Sequence, residues 1–195
     1  MSVKQALLAL LEQGPMYGYQ LRVEFETRTG STWPLNVGQV YTTLNRLERD
    51  GLVAGEGVDD DGHVVYRITD EGRDEVAAWF TTPVARTQPP RDELAIKLAL
   101  AVTVPGVDVG TVIQRQRTAT MVALQDYTRL KRAGRAANPA RPDDMAWSLV
   151  LDSLVFVAEA EIRWLDHCEA RLRRAVRTAE NTATFEAGQP REVNR

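Results

Sequence analysis

The chain has 195 residues, 44% hydrophobic and 26% charged, with a formal net charge of −3; that describes a globular protein with chain enough for one large core or two small ones. A single cysteine, Cys168, excludes an internal disulfide framework and suits a reducing compartment. Residues 1–13 lack a signal-like pattern, and the longest apolar stretch, MAWSLVLDSLVFVAEA, is interrupted by Asp152 and too short for a membrane span, so a cytoplasmic protein is expected.

In chain order, VKQALLALL (3–11) predicts an apolar helix ended by Gly14-Pro15. MYGYQLRVEFETRTG predicts a second, with Tyr17, Leu21 and Phe25 on one face and Gly30 at its end. NVGQVYTTLNRLERDGLV predicts a third. Val37, Val40, Leu44 and Leu47 form its apolar stripe, with Tyr41 at the edge, while Asn36 can cap its start and Asp50-Gly51 can stop it. The opposite stripe carries Gln39, Thr42, Arg46 and Arg49. LVAGEGV and HVVYRIT predict a hairpin turning at Asp61-Gly62, and Thr69 or Asp70 caps a fourth helix running to about Thr81.

Three helices, a hairpin and a helix make a winged helix-turn-helix, whose third helix enters a DNA major groove. The polar stripe then has a use: Gln39 and Thr42 can meet base edges, Arg46 can reach guanine or phosphate, and Thr43 can hold a phosphate. Lys4 and Arg22 are candidate phosphate clamps, and the Tyr17 hydroxyl can point to phosphate although its helical partners make it partly core. Charge pulls the other way. Residues 1–81 hold 7 basic and 13 acidic residues, so attraction to DNA must come from a local patch.

Residues 82–90, TPVARTQPP, read as a linker. RDELAIKLALAV is apolar nearly all round and should be buried. A longer amphipathic helix, VGTVIQRQRTATMVALQDYTRLKRAG, is broken by NPARP, and the longest helix runs from 143 to about 177. Its two apolar stripes, Leu151 to Leu172 and Trp147 to Cys168, suggest packing on two sides, with a second subunit on one; a central helix in a monomeric bundle is the alternative. Residues 178–195 are polar and aperiodic, a tail.

The stretches LLALLEQGPMYGYQL, VGQVYTTLNRLERDGLV and VVYRITDEGRDEV resemble the PadR family of bacterial transcriptional regulators over about residues 5–80. The helical C-terminal half is similar to the larger-tailed members. The resemblance implies a homodimer, usually a repressor, with dimer contacts in the C-terminal helices and an operator affinity lost on binding a small molecule, often phenolic or drug-like. It carries Tyr17 and Tyr19 onto the family's tyrosine-glycine motif, Tyr41 and Leu44 onto its third helix, and Arg67-Ile68-Thr69 onto the end of the second wing strand. One departure is the wing tip, often basic in the family: here Asp59, Asp60 and Asp61 would repel phosphate, leaving His63 as the wing's candidate contact against a solvated state beside the turn.

Enzymatic readings find little support. His63, His167 and Cys168 lack the spacing of a metal site or a nucleophile with its base, and there is no Gly-rich phosphate loop, so no cofactor or metal is expected. The expected architecture is therefore mainly α: a winged helix-turn-helix DNA-binding domain at 1–81, the linker at 82–90, a helical dimerisation and effector domain at 91–177, and the tail. The expected partners are double-stranded DNA with an inverted-repeat operator, a second copy of the chain, and an aromatic or amphipathic effector. For that effector, Trp147, Glu161 and Trp164 on one stripe supply apolar walls and one polar group. The two tryptophans are about 25 Å apart along a straight helix, so each lines its own side or an antiparallel partner brings one from each subunit together; both filling a dimer core is equally open. The rival to the DNA-binding reading is a winged-helix module that binds protein, favoured by the acidic first half and wing.

Overall fold

The leucines of the first helix recur too densely for one face, so the helix must be packed on several sides. The computed structural model describes residues 3–85, 91–134 and 141–187. Its elements are α1 (Val3–Leu11), β1 (Met16–Tyr17), α2 (Gly18–Thr29), α3 (Val37–Arg49), β2 (Val53–Val58), β3 (Val64–Ile68), α4 (Asp70–Thr81), α5 (Glu93–Thr103), α6 (Val109–Gly134) and α7 (Pro142–Ala187). They fall into two compact units, residues 1–89 with 134–150 and residues 90–133 with 151–195. No helix among the described residues is long and apolar enough to cross a membrane.

In the first unit Leu7, Leu8 and Leu11 of α1 are buried with Leu21 and Phe25 of α2, Val40, Leu44 and Leu47 of α3, Tyr66 and Ile68 of β3 and Val76 of α4. This is a winged helix-turn-helix, as the element order predicts. One element differs. The second helix does not begin at Met16, because Met16 and Tyr17 form a short strand paired antiparallel to β3, Met16 opposite Tyr66 and Tyr17 opposite Val65, in a sheet of order β1-β3-β2. Tyr17 is extended (φ −88°, ψ 164°), and its N–H is taken up by the Gln20 side chain at 3.0 Å, so the helix starts one residue later.

The wing also departs from a two-residue turn. Residues 59–63 join β2 to β3, and the Asp59 carboxylate accepts from the backbone N–H groups of Asp61 (3.1 Å) and His63 (2.7 Å). That arrangement uses an aspartate to close a wider loop, with Gly62 supplying φ +88°. After the wing, Thr69 ties three segments together. Its hydroxyl donates to the Gly51 carbonyl (2.8 Å) and accepts from Gly72 N–H (3.1 Å), and its own N–H reaches the Leu52 carbonyl. Gly72 lies so close to that carbonyl that no side chain fits there.

The second unit is built from α5, α6 and most of α7 around Leu98, Ile113 and Leu165, flanked by Leu94, Val109, Val112, Trp164, Cys168 and Leu172. Here α5 is not buried all round: Leu98 and Ala101 are, whereas Ile96, Leu100 and Val102 are exposed within the chain. Among the described residues nothing covers that side. Of the stripes on α7, Leu151, Ala158 and Leu165 are buried and Val157 is 62% exposed; Phe156, outside both stripes, is 66% exposed. The helix continues past 177 to Ala187, because extending an existing helix by one residue needs no new nucleus and the sequence there holds no proline or glycine before Gly188. Residues 188–195 of the expected tail and 86–90 of the expected linker lie outside the described residues.

Candidate nucleic-acid interface and effector sites

The Asn36 side chain accepts from Gly38 N–H at 2.8 Å and starts α3, a cap of the kind that contributes about 1 kcal/mol. Val40, Leu44 and Leu47 hold one side in the core, and Gln39, Thr42 and Arg46 consequently stand exposed on the other. Thr43 is half-buried. The Thr42 and Thr43 hydroxyls donate back to the carbonyls of Gly38 (2.8 Å) and Gln39 (2.7 Å). Arg46 has no ion pair among the described residues, whereas Arg49 is held by Asp50 at 3.1 Å. Asn45 is exposed on this surface as well. It lies outside the stripe of Gln39, Thr42, Arg46 and Arg49, although it sits three residues beyond Thr42 and carries an amide head like that of Gln39.

The flanking candidates divide into engaged and free. Tyr17 stacks on His63 with ring centroids 4.5 Å apart and planes 12° from parallel. His63 Nδ1 is also 3.1 Å from Asp59, so this histidine is neither loose in solvent nor turned outward alone. The His63 backbone N–H, helped by its ring and by Asp61 N–H, holds the Asp59 carboxyl below the usual carboxylate range. Donor atoms of Asp59, Asp61 and His63 lie within 4.8 Å of one another, close enough to share a cation.

Tyr19 is exposed, and Arg22 lies 5.9 Å from its ring centroid. Arg22 is paired with Glu26 at 2.9 Å, and that hydrogen bond holds Glu26 below the carboxylate range. Lys4 is bound to Glu75 of α4 at 3.2 Å. Both proposed clamps are thus largely neutralised within the unit. Arg67 is exposed on β3, opposite Ala54, without an ion pair among the described residues. α3 and the wing are joined by Glu48, whose carboxylate accepts from Gly55 N–H at 3.3 Å.

The three effector candidates do not line one pocket. Trp147 belongs to the first unit, where its ring lies against Gly30 and leaves no room for a Cβ. In the second unit Trp164 lines a cavity of about 300 Å³ with Leu98, Ile113, Cys168 and Arg171. Glu161 lines another, of about 270 Å³, with Gln116, Thr120, Tyr127 and Leu154. One stripe of α7 thus serves three places, since successive positions along a long helix meet different neighbours.

Comparison with known proteins matches residues 7–78 to the transcriptional regulator PadR-like family and residues 90–173 to the virulence activator alpha C-terminal family. The chain thus pairs a PadR-like domain with a virulence-activator C-terminal domain, the make-up of a transcriptional regulator. This PadR-like protein is 28% identical over 187 residues to a probable transcriptional regulator of Mycobacterium tuberculosis, covering 89% of the chain and 98% of the relative. It is 22% identical over 171 residues to the negative transcriptional regulator PadR of Bacillus subtilis, covering 84% and 93%. Among solved structures, the Vibrio cholerae virulence activator AphA superposes with a TM-score of 0.67 at 27% identity, over 89% of this chain and 99% of that one. B. subtilis PadR in complex with operator DNA gives a TM-score of 0.69 at 21% identity, over 88% and 99%. The same protein has been solved with p-coumaric acid. Both curated relatives, of M. tuberculosis and B. subtilis, are named as transcriptional regulators.

Proposed function

We propose that this PadR-like regulator is a homodimeric repressor that reads an inverted-repeat operator with α3 and releases it when a small molecule occupies the helical half. The observation that carries the reading is the division of α3 into a face buried at Val40, Leu44 and Leu47 and an exposed one bearing Gln39, Thr42, Asn45 and Arg46. Residues 1–81 read DNA in this proposal, 82–90 link, and 91–177 dimerise and bind the effector. Two copies place two recognition helices about one helical turn of DNA apart. The exposed apolar side chains of α5 and of α7 favour dimerisation, since such surface is commonly covered by a partner. The operator and p-coumaric acid complexes of the B. subtilis relative support the DNA and effector roles by analogy. Work on DNA implies a cytoplasmic location.

A mobility-shift titration against the DNA upstream of its own gene, at two salt concentrations, tests the reading. Salt-sensitive, sequence-preferring binding is expected. Absence of any shift would favour the protein-binding alternative that the acidic wing suggests. A reporter driven by the bound promoter should rise on deletion of the gene; a fall would make the protein an activator, as the V. cholerae relative is named.

A further inference from the structure

Thr120 of α6 is the buried polar side chain among the described residues, at 7% exposure. Its single hydroxyl proton has two acceptors in reach, Glu161 Oε1 of α7 and the Gln116 carbonyl at 2.9 Å, and Gln116 Nε2 donates to the same carboxylate oxygen at 2.9 Å. Among the described residues nothing donates to the other oxygen, Oε2. Three further carboxylates of α7 are each met by a base from α6: Asp152 by Lys131, and Asp166 and Glu169 by Arg117, the latter two at 2.8 and 2.7 Å. Glu161 is met by neutral donors alone. Its negative charge is oriented but not balanced.

A cavity of about 270 Å³ opens at this carboxylate, with Ala119, Ala123, Leu154 and Val157 as apolar wall and the Tyr127 ring beside them. That volume is near the lower end of ligand pockets, about 300 Å³. Its lining includes no basic side chain.

We propose that this cavity binds a small organic cation, an ammonium group on an apolar body of one or two rings, with the ammonium donating to Glu161 Oε2. The apolar body takes the alanine, leucine and valine wall and the Tyr127 ring. A carboxylic acid of the same shape would set one anion against another with no base in the lining. The proposal rests on the reading of the helical half as the effector-binding half and gives its ligand a charge.

The test uses the full-length protein and isothermal titration with naphthylmethylamine and naphthoic acid, which share an apolar body and differ in charge. The amine should bind about tenfold or more tightly than the acid, as a charge-assisted hydrogen bond would provide. In Glu161→Gln that preference should vanish while the melting temperature stays close to that of the parent. Equal or tighter binding of naphthoate to the unaltered protein, a comparison that needs no variant, overturns the assignment; so does an amine affinity unchanged in Glu161→Gln. Mobility shifts are run separately. An amine that binds through Glu161 without loosening DNA upholds the site and refutes the effector reading.

Discussion

The ring of Tyr41 on α3 closes over Gly18 at the first position of α2, where a Cβ would come within 2.7 Å of the ring's Cζ. The glycine of the tyrosine-glycine motif is therefore a spacing device between the two helices of the helix-turn-helix. Its small size sets how near α3 can approach. Gly18→Ala should cost about 1–3 kcal/mol, the usual range for overpacking. Denaturant unfolding of Gly18→Ala, Tyr41→Ala and the double variant measures it. The alanine should cost much less once the ring is gone, and strictly additive effects would refute the contact.

Gln39→Ala, Asn45→Ala and Arg46→Ala should each weaken operator binding by about 1–3 kcal/mol if their contacts are to bases. Thermal melts should stay near that of the parent, since all three side chains are exposed. Unchanged affinity for the whole set in mobility shifts would hand the case to a protein-binding role.

Dimerisation is tested at Phe156, which is 66% exposed on α7. Phe156→Glu should shift the sedimentation of a micromolar sample toward monomer and weaken operator binding with it. A chain ending after Thr82 should bind DNA far more weakly, having lost the second unit. A full-length protein that already sediments as a monomer would remove the basis for both expectations.

Acid should loosen the wing. The His63 backbone N–H holds Asp59 below its unfolded value, so its stabilisation is complete above the ordinary carboxylate range. It is lost as pH falls through the folded value. Melting temperature should therefore drop from about pH 6 to about pH 3, and drop less steeply in Asp59→Asn. Equal slopes in the two proteins, followed by circular dichroism, would show that the Asp59 contacts carry no such dependence.

The buried face of α3, its Asn36 cap and the glycine stop were legible because a helix repeats its environment every three to four residues and signals its ends in its own sequence. Met16 and Tyr17 were not, since a two-residue strand has no period and exists only by virtue of Tyr66 and Val65, some fifty residues on. Long-range pairing explains the other differences too. Lys4 offers a free charge in sequence and is bound to Glu75 in the fold. Trp147 lies on the same helical stripe as Trp164, yet its ring meets Gly30. The apolar character of α5 was read correctly, but its exposed side has no cover among the described residues of one chain.

The back-donated hydroxyl of Thr42 narrows what that residue can say to DNA. A threonine owns one hydroxyl proton, and here it is given to the Gly38 carbonyl. What remains outward is an oxygen that can only accept, beside a methyl group. Adenine N6 and cytosine N4 carry donors in the major groove, and thymine carries a methyl; guanine there shows acceptors alone. If α3 reads bases as proposed, the base opposite Thr42 is accordingly expected to be adenine, cytosine or thymine. Selection of operators from a randomised pool should be depleted of guanine at one position of each half-site, and Thr42→Arg should reverse that depletion.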